Sequence, residues 1–599
     1  MLSRVVFTSV TILLHLISAA ADQSQSPLHD DPLRVPQSKT HRVAIIGAGP
    51  GGSSASFYLN QFSQSLDLDV DLDITVFDAN PRIGGRTTTV NALDDPRYPT
   101  ELGASIFVKV NHILYNATRD FGLAPSGKIY EATPESQYEL GIWDGNQFVF
   151  KTASDDDDDD DTRSSWRGWW DIAKLLWKYG LSPIRTQRAT KAAVGAFLQV
   201  YEEPLFPFRS LQEAVDRTAL DAYTGVSGRE VLQETHVSEL FSREIIQAST
   251  RVNYASNLGG IHGLETLVCM AIEGAMAVDG GNWQIFDEMV KRSASRVLLN
   301  TTVTDVTQDP GKKSYRLQTN DPDLDAHFNA DAYDTVILAA PYQFANISFT
   351  PPLVDPPSKI PYVSLYVTLL TSPHQLSPAY FGLQSQADVP SSILTTLPEY
   401  LNDELSSRRG VDAVGPPGFW SISTLRVLHP DIDGLSFSGP ISSNSNSNST
   451  NSGRRPTETD TESDTNSKTD SETQYLYKIF SPAPLTGTFV SWILGFPHAP
   501  TSKEDPVSTL PKEDITWLYE KHWHSYPYET PRRTFDNFTL HTMSSLMNGP
   551  EPEAEGENLF YLSSMESFIS TMETSALSGM NVAKLIIDQL QLQQRQPQT

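Results

Sequence analysis

The chain has 599 residues, of which 39% are hydrophobic and 20% charged, with a formal net charge of −29. It is long enough for two or three domains and acidic enough to exclude nucleic acid and anionic membrane surfaces as general partners. A single cysteine, Cys269, excludes an intrachain disulfide and any cysteine-built zinc or iron–sulfur site; set in "LVCMAI", it reads as a buried structural thiol.

The N-terminus runs MLSRVVFTSVTILLHLISAAADQ. Arg4 supplies a positive start, Val5 to Ile17 an apolar stretch too short to span a bilayer, and Ala19 and Ala21 a small-residue cleavage site. Residues 1–21 are therefore read as a cleaved secretory signal in preference to a short membrane anchor, and residues 22–40 as a polar linker. The expected route is secretory, ending outside the cell or in a lysosome or vacuole. That route calls for usable sequons, and they occur at Asn116, Asn300, Asn346, Asn448 and Asn537. No later segment approaches about 20 uninterrupted apolar residues.

"RVAIIGAGPGGSSASFYL", Arg42 to Leu59, reads as a strand, a glycine-rich turn and a helix. Gly47 permits the tight turn, Gly49 lets backbone approach a pyrophosphate, and Gly52 allows close packing of helix on strand. Pro50 and Gly51 complete the turn, and the helix opening at Gly51–Ser53 aims its first amides at the phosphates. "DITVFDAN" (Asp73 to Asn80) is a second strand ending on Asp78, which can accept from a ribose hydroxyl. FAD and NAD share this fingerprint. In "NPRIGGRTTT", Gly84 and Gly85 allow another close approach, and Arg86 offers a cation to a pyrophosphate or flavin edge. "TELGASIF" puts Gly103 and Ala104 side by side before Ser105, small enough for a flat ring to lie against.

Further on, the acidic run of 154–163 reads as a solvated loop. "SSWRGWWDIAKLLWKYG" places Trp166, Trp169, Trp170, Ala173, Leu176 and Trp177 at helical spacing. That stripe fits a core helix, a wall of an apolar tunnel, or an interfacial membrane helix. His262 in "GGIHGLE" titrates near neutrality and is a candidate for water attack or substrate positioning, beside its bland role in a helical turn. Glu265 and Glu273 share that segment and are placed on the surface by default. His522 and His524 in "HWH" are too few for a closed metal site and read as structural. Residues 442–473 lack apolar residues and read as a disordered insertion.

The order G-x-G-x-x-G, acid-ended strand, G-G-R and E-x-G-[AS] resembles flavin oxidoreductases of the amine-oxidase-like class. "LLNTTVTDV" resembles the strand whose backbone meets adenine, around Val303. "YDTVILAAP" resembles the strand returning the chain to the FAD domain, and "FYLSSMESFISTMETSALSGMNVA" resembles the closing FAD motif. The resemblance places Glu566 near the ribityl or pyrophosphate region and the amides of Met572, Glu573, Thr574 and Ser575 toward the flavin. FAD is thereby preferred to NAD, and the lack of a second dinucleotide fingerprint argues for an oxidase using oxygen.

Together with "RVNYASNLGGIHGLETLVCMAIEGAMAVDGGNWQIFDEMV" and "HWHSYPYETP", these motifs resemble the prenylcysteine oxidase (prenylcysteine lyase) family over most of 42–350 and 475–590. The resemblance implies an α/β chain: a Rossmann-like FAD-binding domain, amine-oxidase-like, with an interleaved α+β substrate domain. The FAD domain is expected at 41–109, 278–345 and 536–595, and the substrate domain at 110–277 and 346–535. The implied reaction oxidises the thioether of farnesyl- or geranylgeranylcysteine with oxygen and water to cysteine, prenyl aldehyde and peroxide. Sulfur and the allyl system both stabilise the cation that results, which accounts for the lack of a triad or metal cage; positioning and burial of an apolar chain remain for the protein. A relative acting on another apolar substrate, such as a terpenoid, and a non-catalytic secreted flavoprotein stay open as alternatives.

Overall fold

The computed structural model describes residues 39–66, 68, 70–126, 136–153, 175–293, 295–309, 314–328, 332–428, 473–497, 502, 504–543 and 558–595. The signal, the acidic loop, Trp166 to Ala173, Asn448 and all but the last residue of 442–473 lie outside them. Of the expected linker, Lys39 and Thr40 are described, and they begin the first strand.

The chain assembles its first sheet from five distant segments in the order Leu559–Tyr561, Thr335–Leu338, Lys39–Ile46, Val70–Phe77, Arg296–Leu298. Val43–Ile46 runs parallel to Thr335–Leu338, which runs parallel to Leu559–Tyr561; Thr75–Phe77 runs parallel to Arg296–Leu298. Val43, Ala44, Ile45, Val76, Val336, Ile337 and Leu338 are all fully buried. A continuous apolar strand of this kind is what a parallel sheet covered on both faces demands.

Two helices cover one face and set the site. The first, Pro50–Ser65, starts on Gly49 with proline at its first position and buries Gly51 to Ser56, a run of small residues. The closing helix, Met572–Arg595, lies against that run: Ser54 Oγ donates to the Ala576 carbonyl at 2.6 Å, and a Cβ on Gly579 would sit 2.2 Å from the Gly51 carbonyl. Small residues on both helices let the backbones touch.

The expected single strand Leu298 to Val306 is two strands, Arg296–Leu298 and Val303–Gln308, because Asn300 turns the chain with φ 54° between them. The second belongs to a separate three-stranded sheet with Tyr315–Thr319 and Ser348–Thr350. A seven-stranded, mostly antiparallel sheet runs in the order Trp517–Pro527, Tyr362–Ser372, Gln474–Ser481, Ser421–Leu428, Ser392–Thr395, Tyr138–Trp143, Phe148–Ala153. Helices between Ser182 and Val268 pack beside it, and from Thr40 onward the described residues form one compact unit.

Candidate cofactor and substrate cavity

A cavity of about 630 Å³ opens where the two helices begin. Pro50, Arg86, Gly103, Ala104, Ser105, Met572, Glu573, Thr574 and Ser575 line it. Gly47, Gly49, Gly51, Gly52, Asp78, Gly84, Gly85, Val303 and Glu566 do not, and serve the wall from behind or lie apart.

The glycine turn is built to receive backbone rather than side chain. Gly47 has φ +112° and Gly85 φ +58°, and a Cβ on Gly52 would lie 1.9 Å from the Gly47 carbonyl. No side chain caps the Pro50–Ser65 helix and no acid lies in its first turn, so its leading amides face outward. An anion seated there meets N–H groups and the positive end of the helix. Asp78 is tied down: Oδ2 accepts from the Ala48 amide at 2.7 Å and Oδ1 from the Asn80 amide at 2.8 Å. It holds the turn closed and keeps lone pairs free for a hydroxyl.

Arg86 and Glu566 face each other. Arg86 Nη2 donates to Glu566 Oε1 at 2.5 Å, Nη1 donates to the Ser525 carbonyl, and the Tyr362 hydroxyl donates to Glu566 Oε2 at 3.0 Å. The pair closes the cavity beside the strand Trp517–Pro527. Glu573 does more than lend an amide: its carboxylate accepts from the amides of Ile113 and Leu114 and from the Tyr201 hydroxyl, clamping the start of helix His112–Asp120. Burial pushes it up to about 7. Val303 is buried in the three-stranded sheet, away from the cavity.

Three buried polar atoms on the cavity wall, Glu101 Oε2, Trp523 Nε1 and Ser525 Oγ, have no hydrogen-bond partner among the described residues. Buried polar groups are seldom left so. Together with the uncapped helix and the glycine turn, they fit a dinucleotide carrying a polar ring system, to which those atoms would offer hydrogen bonds.

The wall also carries a lysine that sequence reading passed over. Lys478 Nζ donates to the Glu101 carbonyl at 2.8 Å and to Ser105 Oγ at 3.0 Å. Burial pushes the amine down to about 8 against the opposing pull of Glu101, and pushes the Glu101 carboxyl up to about 7. The signal was present in "QYLYKIFS": one cation inside a strand that is otherwise buried and uncharged.

The other arm of the cavity is apolar, with Val194, Phe197, Leu198, Val252, Val268 and Ile272 in its wall. Among the described residues, helices Ser182–Leu198, Gln247–Tyr254 and Gly263–Val268 contribute to it. Of the tryptophan-rich stripe, only Leu176, half-buried, and Trp177, 91% exposed, are among the described residues; Trp166, Trp169, Trp170 and Ala173 lie outside them.

His262 does not reach the cavity. It is fully buried and caps helix Gly263–Val268, Nδ1 accepting from the Glu265 amide at 3.1 Å. Burial and the Arg532 charge push it down to about 3, so it stays neutral. Glu265, expected at the surface, is fully buried, because the capped helix turns it inward; Glu273 is exposed. Cys269 is buried and contributes to the cavity wall. His522 and His524 make ordinary contacts: His522 stacks on Tyr366 at 4.4 Å and meets Ser364 Oγ, and His524 stacks on Phe344 at 5.0 Å. No group of three or more metal-ligating side chains occurs among the described residues.

The stretch "RVNYASN" proves to be a structural node. Arg251 is wholly buried over the Trp420 ring at 4.6 Å and donates to Thr395, Asn257 and the carbonyls of Ala413 and Val414.

Comparison with known proteins gives this arrangement a family. The prenylcysteine lyase family model matches residues 162–598, and a model for an NAD(P)-binding Rossmann-like domain matches 45–121. The chain belongs to the prenylcysteine lyase family. Farnesylcysteine lyase of Arabidopsis thaliana is 26% identical over 91% of this chain and 88% of its own. Prenylcysteine oxidase 1 of Homo sapiens is 26% identical over 92% of this chain and 89% of its own. Among solved structures, a putrescine oxidase variant superposes with a TM-score of 0.47 at 14% identity, covering 92% of this chain and all of its own. In this member of the prenylcysteine lyase family, the model's span takes in the apolar arm, Lys478 and the closing helix, whereas the glycine turn falls in the Rossmann-like match.

Proposed function

We propose that this protein is an FAD-dependent thioether oxidase that cleaves prenylcysteine with oxygen and water to free cysteine, the prenyl aldehyde and hydrogen peroxide. The observation that carries it is one cavity with two ends: the starts of the two covering helices, at Pro50 and Met572 to Ser575, at one, an apolar arm at the other, and polar groups in its wall. The residues that would hold FAD are Gly47 to Gly52 with the two helix N-termini, Asp78, and Gly103 to Ser105. Bound there, FAD supplies a two-electron acceptor for the carbon between sulfur and the alkene. The apolar arm holds the prenyl tail, worth about 0.8 kcal/mol per buried CH₂. Lys478, Glu101 and Arg86 give the cysteine end its polar company.

The same reading sends the protein through the secretory pathway, to the outside or to a lysosome or vacuole. In support, Asn116, Asn300, Asn346 and Asn537 are all exposed, so glycans can attach without unfolding. Among the described residues no helix is long and apolar enough to cross a membrane. Purified protein supplied with farnesylcysteine and oxygen should release peroxide and free thiol in equal amounts. Bound FAD with no turnover of farnesyl- or geranylgeranylcysteine would sink the proposal. Loss of mass on glycosidase treatment tests the route.

A further inference from the structure

One group of ionisable side chains has no part in the site so far. Behind the cavity wall formed by Tyr254, Cys269, Tyr526 and Ser570 lie two fully buried carboxyls, Glu265 and Glu529. None of their four oxygens has a hydrogen-bond partner among the described residues, and neither has His262 Nε2, 3.7 Å from Glu529 Oε2. The neutral His262 offers no charge. The charge of Arg532, half-buried, favours the ionised Glu529, and that of Glu566 opposes it. Burial with so little compensation pushes both carboxyls up, Glu265 to about 8.

Tyr254 connects this store to the cavity. Its ring is part of the wall, T-shaped to Tyr526 at 5.2 Å. Its hydroxyl donates to the Ser570 carbonyl at 3.3 Å, a long bond, and lies against the Glu265 carboxyl without a fully formed bond to it.

We propose that Glu265, through the Tyr254 hydroxyl, protonates the sulfur that leaves when the carbon–sulfur bond breaks. This rests on the thioether-oxidase reading, which supplies the preceding two-electron oxidation. Water adds to the oxidised carbon and gives a hemithioacetal with loss of one proton. On collapse the C–S bond breaks, its electron pair goes to sulfur, and the hydroxyl oxygen forms the aldehyde carbonyl. Sulfur takes a proton from Tyr254, which takes one from Glu265; the proton leaving the hydroxyl restores the acid. An acid near 8 is matched to a departing thiol whose own value is about 8.5. Glu573 cannot serve, since three donors already point at its carboxylate.

The test is an anaerobic single turnover with farnesylcysteine, following flavin absorbance and free thiol together. In Tyr254→Phe and Glu265→Gln, thiol release should fall at least tenfold relative to flavin reduction. An S-farnesyl arenethiol, whose leaving thiol needs no acid, should restore the ratio. If Glu265→Gln does not fold, Tyr254→Phe decides, since it removes one oxygen only. Thiol release keeping pace with flavin reduction in both variants overturns the inference, as does an equal deficit with the arenethiol, or a deficit found in Lys478→Met instead. Wild-type flavin that farnesylcysteine does not reduce is a different failure: it removes the thioether reading, and this inference with it.

Discussion

Gly579→Ala sets two effects of known size against each other. In an exposed helix interior, alanine for glycine gains about 1 kcal/mol. At Gly579 the new methyl would lie 2.2 Å from the Gly51 carbonyl and 2.8 Å from the Ala55 amide, backbone atoms of the helix that carries the glycine turn. Neither can rotate away, so the two helices must part by roughly 1 Å to regain van der Waals distance. Overpacking of this kind costs about 1–3 kcal/mol, enough to cancel the gain and leave a net loss of up to about 2 kcal/mol. The parting also shifts the amides of Gly51 and Ser575 together, since a Cβ on Gly51 would already lie 3.2 Å from the Ser575 carbonyl. Thermal unfolding and FAD per chain measure both consequences. Gly195→Ala, in helix Ser182–Leu198 with nothing within 4 Å of the new methyl, is the control and should be neutral or stabilising. A Gly579→Ala protein as stable as that control, with full FAD, would refute the reasoning.

Arg251→Met should lose about 3 kcal/mol or more, because it strands the Val414 carbonyl and Asn257 Oδ1 in a dry interior; chemical denaturation measures it. Val194→Asp, half-buried in the apolar arm, should raise KM for farnesylcysteine at least tenfold with a smaller change in kcat. Stability should fall as pH rises from about 4.5 to 8. Glu101, Glu265 and Glu573 are raised to about 7, 8 and 7, so in that window the folded chain binds more protons than the unfolded one. His262, lowered to about 3, works the other way only up to about 6.5, and Lys478, lowered to about 8, only above that value. A midpoint of denaturation higher at pH 8 than at pH 5.5 contradicts this.

What could be read from the sequence follows how local each signal is. The glycine turn, Asp78 and the closing helix are continuous motifs whose residue types are forced by backbone contact, and they fall where the first sheet and its covering helices meet. The split at Asn300 was hidden because its left-handed turn carries no glycine. Lys478, Tyr254 and Glu529 reach the cavity or its rear wall from strands, helices and loops far apart in the chain, a placement no local pattern encodes. His262 and Glu265 misled in opposite ways for one reason: a capped helix start buries both, taking the histidine out of the chemistry and bringing the glutamate to the edge of it.

The central claim is that the cavity couples a flavin to a prenyl thioether. Anaerobic addition of farnesylcysteine to the purified protein, with absorbance followed near ~450 nm, the oxidised-flavin band, tests it most directly. The account predicts bleaching at one equivalent of substrate per flavin and recovery of the band on admitting oxygen. FAD present and unbleached by both farnesyl- and geranylgeranylcysteine would contradict it.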